Sequence, residues 1–209
     1  VLVCEAHDRA GGVAHDYEVQ GFTFENGPSL YAGLSPNASP NPLKHVFQII
    51  GEEPDWLTYD RWGTAFPEGT FAAAVGAKDF KERILPTYAG PGAADQFDTL
   101  MKRVEPLGEA IFGVPSAAVR EDAFAALTLG RYGLSLATLL AVGPAPALSR
   151  PFSEVLDQCG VTDTFLRNWL DMICFLLQGA TTKEAPTTLM AYMLSDFYCD
   201  GVVLDFPRG

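Results

Sequence analysis

Positive charge is scarce in this chain. Fourteen lysines and arginines stand against 26 aspartates and glutamates, and the formal net charge is −12. Such a surface repels phosphate backbones and anionic lipid headgroups, so no nucleic acid is expected as a partner. Any membrane contact must then be driven by apolar burial. Cysteine is also scarce. Cys4, Cys159, Cys174 and Cys199 are widely spaced and form no C-x-x-C pair. That disfavours a disulfide framework and a zinc site, and the four read as reduced core thiols. Also missing are a G-x-S-x-G elbow, a P-loop and any metal-ligand spacing. No nucleophile–base pair is legible, which points to chemistry carried by a cofactor. The longest uncharged stretch, Tyr132 to Ser149, is interrupted by Gly143-Pro144 and Pro146. About three helical turns are too short for a hydrocarbon core of roughly 30 Å, so Leu134 to Val142 is expected to be a buried helix or one that dips into a single leaflet. No targeting signal is visible, and Asn37-Ala-Ser39 matches a glycosylation sequon of a kind that arises by chance.

What is present begins at the first residue. Val1 to Cys4 is an apolar run that predicts a buried parallel strand. Glu5 closes it, Arg9 lies in the polar turn after it, and Gly11-Gly12 follow. In a dinucleotide fold, an acid at the end of such a strand accepts hydrogen bonds from a ribose 2′-hydroxyl. Arg9 has the reach for a phosphate or the adenine end, and the glycines let backbone approach a cofactor closely. The phosphate-binding G-x-G-x-x-G loop should lie roughly 20 residues before the acid, yet only four residues precede Glu5. The expectation is a chain that begins inside a Rossmann unit and, alone, binds its dinucleotide cofactor weakly or not at all, because the pyrophosphate lacks its helix N-terminus.

Three elements in order carry a family resemblance: Val1 to Gly12, Gly21-Phe-Thr-Phe-Glu-Asn-Gly-Pro-Ser-Leu30, and Val203-Leu-Asp-Phe-Pro-Arg-Gly209. Together they resemble the FAD-dependent phytoene desaturase and carotenoid isomerase family of the flavin amine-oxidase superfamily. The carotenoid-isomerase-like branch is suggested by Gly27-Pro28-Ser29-Leu30 and by the stretch Asn168 to Gly179. The resemblance implies an α/β fold: a partial Rossmann-type FAD-binding domain (1–36), an inserted α+β substrate domain (37–200), and a return to the FAD domain beginning at 201–209. It implies FAD as cofactor, held by Glu5, Arg9, Gly11, Gly12, Gly27, Pro28 and Ser29, with no metal. It implies an apolar polyene substrate, isomerised or desaturated, with peripheral membrane contact through an apolar surface and a plastid or thylakoid setting. A retinoid saturase, an amine oxidase, or an inactive truncated protein that binds an apolar ligand remain open alternatives.

Along the chain, Val13 to Gln20 reads as a helical turn or loop, in which His15 either faces the cofactor or is solvated. Gly21 to Glu25 alternates as a strand and Asn26-Gly27-Pro28 ends it. Pro42 to Gly51 reads as a helix, with Leu43, Val46, Phe47 and Ile50 at helical spacing. Asp55 to Gly63 and Ala65 to Phe71 predict two strands of one hairpin, turning near Gly63 or Glu68-Gly69. Their aromatic residues suit either a polyene channel or a packed sheet face. Helices are predicted over Asp79 to Tyr88 and Ala93 to Phe112, the second bent or halved at Pro106. Another starts at Pro151 with Ser153 as its cap. A wholly buried helix is expected over Thr164 to Leu177, in which Asp171 pairs with a residue such as Arg167. The last helix is Thr187 to Tyr198, followed by a strand from Val202 to Phe206. The helices 134–142, 164–177 and 187–198 would wall an apolar tunnel.

Overall fold

The structure is a computed structural model that describes residues 2–9, 11, 12, 15–26, 31–36, 39, 41–112, 124, 127, 130, 133, 134, 137, 141, 149–198 and 203–208. The chain is mixed α/β with small sheets. Its elements, in order, are β1 (Asp16–Val19), β2 (Phe22–Glu25), β3 (Tyr31–Ala32), α1 (Pro42–Ile50), β4 (Trp56–Tyr59), β5 (Arg61–Phe66) and β6 (Gly69–Ala74). Then follow α2 (Ala77–Asp79), a π-helical turn (Phe80–Ile84), α3 (Leu85–Tyr88), α4 (Ala93–Phe112), α5 (Phe152–Gln158), α6 (Thr164–Gln178), α7 (Thr187–Tyr198) and β7 (Leu204–Pro207). They fall into two units, Val1–Asp60 with Val203–Gly209, and Arg61–Val202.

The first unit is built on local turns and one long-range clamp. Its β1 and β2 form an antiparallel hairpin with Val19 opposite Phe22. The two turn residues, Gln20 and Gly21, both have positive φ (55° and 80°). That geometry matches the twist of the flanking strands, and it replaces the helical turn expected before residue 20. A three-stranded sheet runs β3–β7–β4, with both pairings antiparallel. Helix α1 starts where Asn41 Oδ1 accepts the Leu43 N–H at 2.9 Å, with Pro42 in the first turn, and stops at Gly51 in the left-handed region. Its apolar side is turned to solvent: Leu43, Val46, Ile49 and Ile50 are exposed while Lys44 is buried. The Lys44 ammonium is paired with Glu53, which also accepts from Trp56 Nε1 at 2.9 Å. These two donors hold the Glu53 carboxyl below the usual carboxylate range, the Lys44 hydrogen bond contributing most.

Three expectations are corrected here. Residues 2–5 form no strand, and Leu2 and Val3 are 88% and 82% exposed. An extended apolar run becomes a strand only beside a partner, and none of the described residues pairs with it. Second, β4 does not turn back onto β5. It pairs with β7, Thr58 lying opposite Asp205, and the hairpin is instead β5–β6, turning at Pro67-Glu68. Third, Cys4 is exposed, whereas Cys159 is half-buried and Cys174 buried.

The second unit holds the hydrophobic core. On β5 and β6 the inward positions Trp62, Phe66 and Phe71 alternate with exposed neighbours, and they pack on Phe165 and Trp169 of α6. These rings of the expected channel therefore form a packed sheet face. Phe97, Leu100, Val104 and Leu107 bury one stripe of α4. The helix continues through Pro106, which is exposed, so the ring and the carbonyl it leaves unpaired face water. Where α4 meets α7, a Cβ on Gly108 would stand 2.0 Å from Ser195 Oγ and 2.8 Å from the Ala191 carbonyl oxygen, so only glycine permits this approach. Trp169 Nε1 donates to the buried Tyr198 hydroxyl at 2.6 Å.

Helix α6 buries one face only. Phe165, Leu166, Trp169, Leu170, Ile173 and Cys174 are inside, but Phe175, Leu176 and Leu177 are exposed. Its cap is Asp163, whose Oδ1 accepts from Leu166 N and whose Oδ2 accepts from Gly90 N, each at 2.8 Å. Asp171 accepts from Thr182 N at 2.8 Å, not from Arg167, which is turned to Asp157 and the Val161 carbonyl. In α5, Pro151 takes the cap position and Ser153 lies inside the first turn, its N–H donating to Thr182 O at 2.8 Å. Of the stretch 134–142, only Leu134, Ala137 and Ala141 are described, and all three are exposed. Among the described residues, no helix is long and apolar enough to cross a membrane.

Candidate functional site

The segment from Glu5 to His15 folds back on the β1–β2 hairpin through a chain of local hydrogen bonds. Glu5 Oε1 accepts the His7 N–H at 2.8 Å. Gly12, at φ 57°, presses its backbone against the same carboxylate: a Cβ there would lie 2.7 Å from Glu5 Oε2. The dihedral favours glycine there, whereas the contact is with the free end of an exposed, flexible side chain that can swing aside. Arg9 Nη1 donates to the Asp16 carbonyl at 2.8 Å, which ties the guanidinium base to β1. His15 Nδ1 lies 2.8 Å from the Gly12 carbonyl, and its Nε2 lies 3.3 Å from the Asn26 amide nitrogen. One neutral tautomer satisfies both: Nδ1–H donates to the carbonyl and Nε2 accepts from Asn26. The His7 ring packs on it, with centroids 4.7 Å apart.

This loop presents an exposed carboxylate, an exposed guanidinium and two glycines within eight residues of one another. Glu5 can accept hydrogen bonds from vicinal hydroxyls, and Arg9 has further N–H donors to offer an anion. Gly12 lies against Glu5, whereas the Arg9 guanidinium is tied to the Asp16 carbonyl. Gly27, Pro28 and Ser29 lie outside the described residues. His15 serves the loop's own architecture, since both of its nitrogens are engaged. No group of three or more His, Cys, Asp or Glu side chains that could hold a metal occurs among the described residues.

Two features were not foreseen from sequence. The first is Asp205, wholly buried, whose Oδ2 accepts from Leu34 N (2.7 Å) and Ser35 N (2.8 Å) while Oδ1 accepts from Thr58 Oγ1 (2.8 Å). A strand was expected over Val202 to Phe206, but nothing local signals partners 147 and 171 residues away. The second is in the other unit, where Ile111, Thr188, Leu189 and Tyr192 line an open, mostly apolar cleft of about 340 Å³. Burial, with the Asp196 charge adding, raises the Tyr192 phenol above its ordinary range. Burial likewise holds the Asp196 carboxyl up at about 6.

Residues 1–49 match a family model described as an NAD(P)-binding Rossmann-like domain. The match spans Glu5, Arg9, Gly11 and Gly12 and ends inside α1. No curated protein matches the chain. A Rossmann-like sequence of the dinucleotide-binding kind, consistent with a flavin- or nucleotide-dependent oxidoreductase, therefore opens the chain.

Proposed function

We propose that this chain is part of an FAD-dependent oxidoreductase acting on an apolar polyene, by isomerisation or desaturation. The observation that carries the cofactor half is Gly12 held against the Glu5 carboxylate inside the matched region. Gly12, at a φ of 57° that favours glycine, puts no side chain beside the acid. Glu5 would accept hydrogen bonds from the ribose hydroxyls, Arg9 would face the phosphates or the adenine, and Gly11 and Gly12 would give the backbone its close approach. Bound FAD supplies the acceptor for an allylic hydride, while the chain binds and orients. The substrate half is supported by apolar surface in the second unit: the cleft at Ile111, Leu189 and Tyr192, and exposed Phe175, Leu176 and Leu177. With a net charge of −12, that surface would meet a membrane by apolar contact and not by a basic patch.

Two-dimensional amide NMR of the 22.5 kDa chain, titrated with FAD, tests the reading. Affinity near the millimolar range is expected, about −4 kcal/mol. The shifts should concentrate on residues 5–12, and Glu5→Gln should weaken them. Shifts confined to other residues would overturn the assignment, and a submicromolar affinity would overturn the expectation of weak binding without the phosphate loop.

A further inference from the structure

A cluster of soft sulfur donors lies between α6 and α7 and contains no residue assigned to the cofactor. Cys174 Sγ is 3.1 Å from Met190 Sδ, and both residues are fully buried. The Gln178 amide nitrogen sits 3.2 Å from Met190 Sδ and 3.3 Å from Met193 Sδ. Met190 and Met193 are three apart on one helix, so their side chains share a face. Cys174 and Gln178 are four apart on the facing helix and share theirs. Two thioethers thus direct lone pairs at one electropositive point, the Gln178 N–H group, with a thiol beside them. Gln178 and Met193 are only partly buried, so the cluster opens toward solvent on their side.

We propose that Cys174, Met190 and Met193 form a binding site for one copper(I) ion. Thiolate and thioether ligands select soft monovalent copper over harder ions. The place now held by the partial positive charge of the Gln178 amide is the place a cation would take. With metal–sulfur bonds of about 2.3 Å, trigonal coordination separates the sulfurs by about 4 Å. Met190 therefore has to withdraw from Cys174 by roughly an ångström, within the range of its three rotatable bonds. Binding forms a Cys174 S–Cu bond and releases the thiol proton to solvent; no electron is transferred. The site does not depend on the flavin reading.

The test keeps the whole chain. Anaerobic protein, methyl-labelled at methionine, receives copper(I) from its bicinchoninate complex under ascorbate. The protein is the Cys4→Ser, Cys159→Ser, Cys199→Ser variant, which leaves Cys174 as the one thiol. One equivalent should leave the chelator. Because copper(I) is diamagnetic, the Met190 and Met193 methyl signals should shift while those of Met101 and Met172 stay. Met193→Leu, at a half-buried position where volume is kept, should weaken binding at least tenfold, and Cys174→Ser should abolish it. X-ray absorption should show a first shell of sulfur alone. Failure of the chelator to give up copper, equal shifts at all four methionines, or unchanged affinity in Met193→Leu would each overturn the site.

Discussion

Asp205 offers the sharpest test of how the first unit is held together. Its carboxylate is wholly buried and takes three hydrogen bonds, from Leu34 N, Ser35 N and Thr58 Oγ1, at 2.7 to 2.8 Å. Removing it in Asp205→Ala strands the Leu34 N–H, which is buried, and the Ser35 N–H, which is partly buried. A donor left unsatisfied costs about 1–3 kcal/mol, and the exposed Thr58 hydroxyl recovers its bond in water. With the buried Leu34 N–H in the upper half of that range and the partly buried Ser35 N–H at its low end, the sum is about 3–4 kcal/mol. In Asp205→Asn the amide oxygen keeps both N–H groups, and Thr58 rotates to accept from the new NH₂. Only charge assistance is lost, about 1–2 kcal/mol. Because the chain has two units, a single global unfolding energy is a poor reporter. Amide exchange at Leu34 and Ser35 reads the clamp directly. Exchange there should speed by about 10²- to 10³-fold in Asp205→Ala and by about tenfold in Asp205→Asn, with amides of α6 unchanged. If Leu34 and Ser35 keep their protection in Asp205→Ala, the clamp carries no stability and the reasoning fails.

Gly108→Ala gains about 1 kcal/mol of helix propensity but drives a methyl into Ser195 and the Ala191 carbonyl, so a net loss of about 1–3 kcal/mol is expected by urea unfolding of the second unit. Ser195→Ala, which removes a buried hydroxyl with no partner among the described residues, should relieve part of that loss in a double-mutant cycle. Asp196, held up at about 6 against an ordinary 3.8, binds its proton more tightly in the folded state. The second unit should therefore lose stability as pH rises from about 4 to 6, by at most about 3 kcal/mol, and Asp196→Asn should flatten that part of the urea midpoint–pH curve. In the first unit, Glu53→Ala abandons the buried Lys44 ammonium, whereas Lys44→Met removes that charge and leaves an exposed acid. Thermal unfolding should show the glutamate change to be the more damaging.

The local grammar of the chain was legible from one strand of text. Asn41-Pro42 before an apolar period and Gly51 after it specify α1, since cap and left-handed stop depend on neighbouring residues alone. The stripe Phe97, Leu100, Val104, Leu107 specifies α4, and alternation specifies β2. The approach of Gly12 to Glu5 is likewise local, since the two are seven positions apart. What tertiary structure decided was partnership. Trp56 to Tyr59 reads as half of a hairpin, yet its N–H and C=O groups are met by a strand almost 150 residues later, because Asp205 buries itself beside Thr58. Asp171 has Arg167 one turn away, but an acid takes the donor that is aimed at it, and that is Thr182 N–H. The apolar surplus of α6 predicts burial all round, but a helix buries only the faces its neighbours cover, so Phe175 to Leu177 stay in water. Helix periodicity alone places Cys174 beside Gln178 and Met190 beside Met193. Only the packing of the two helices brings Cys174 against Met190 and Gln178 against both methionines.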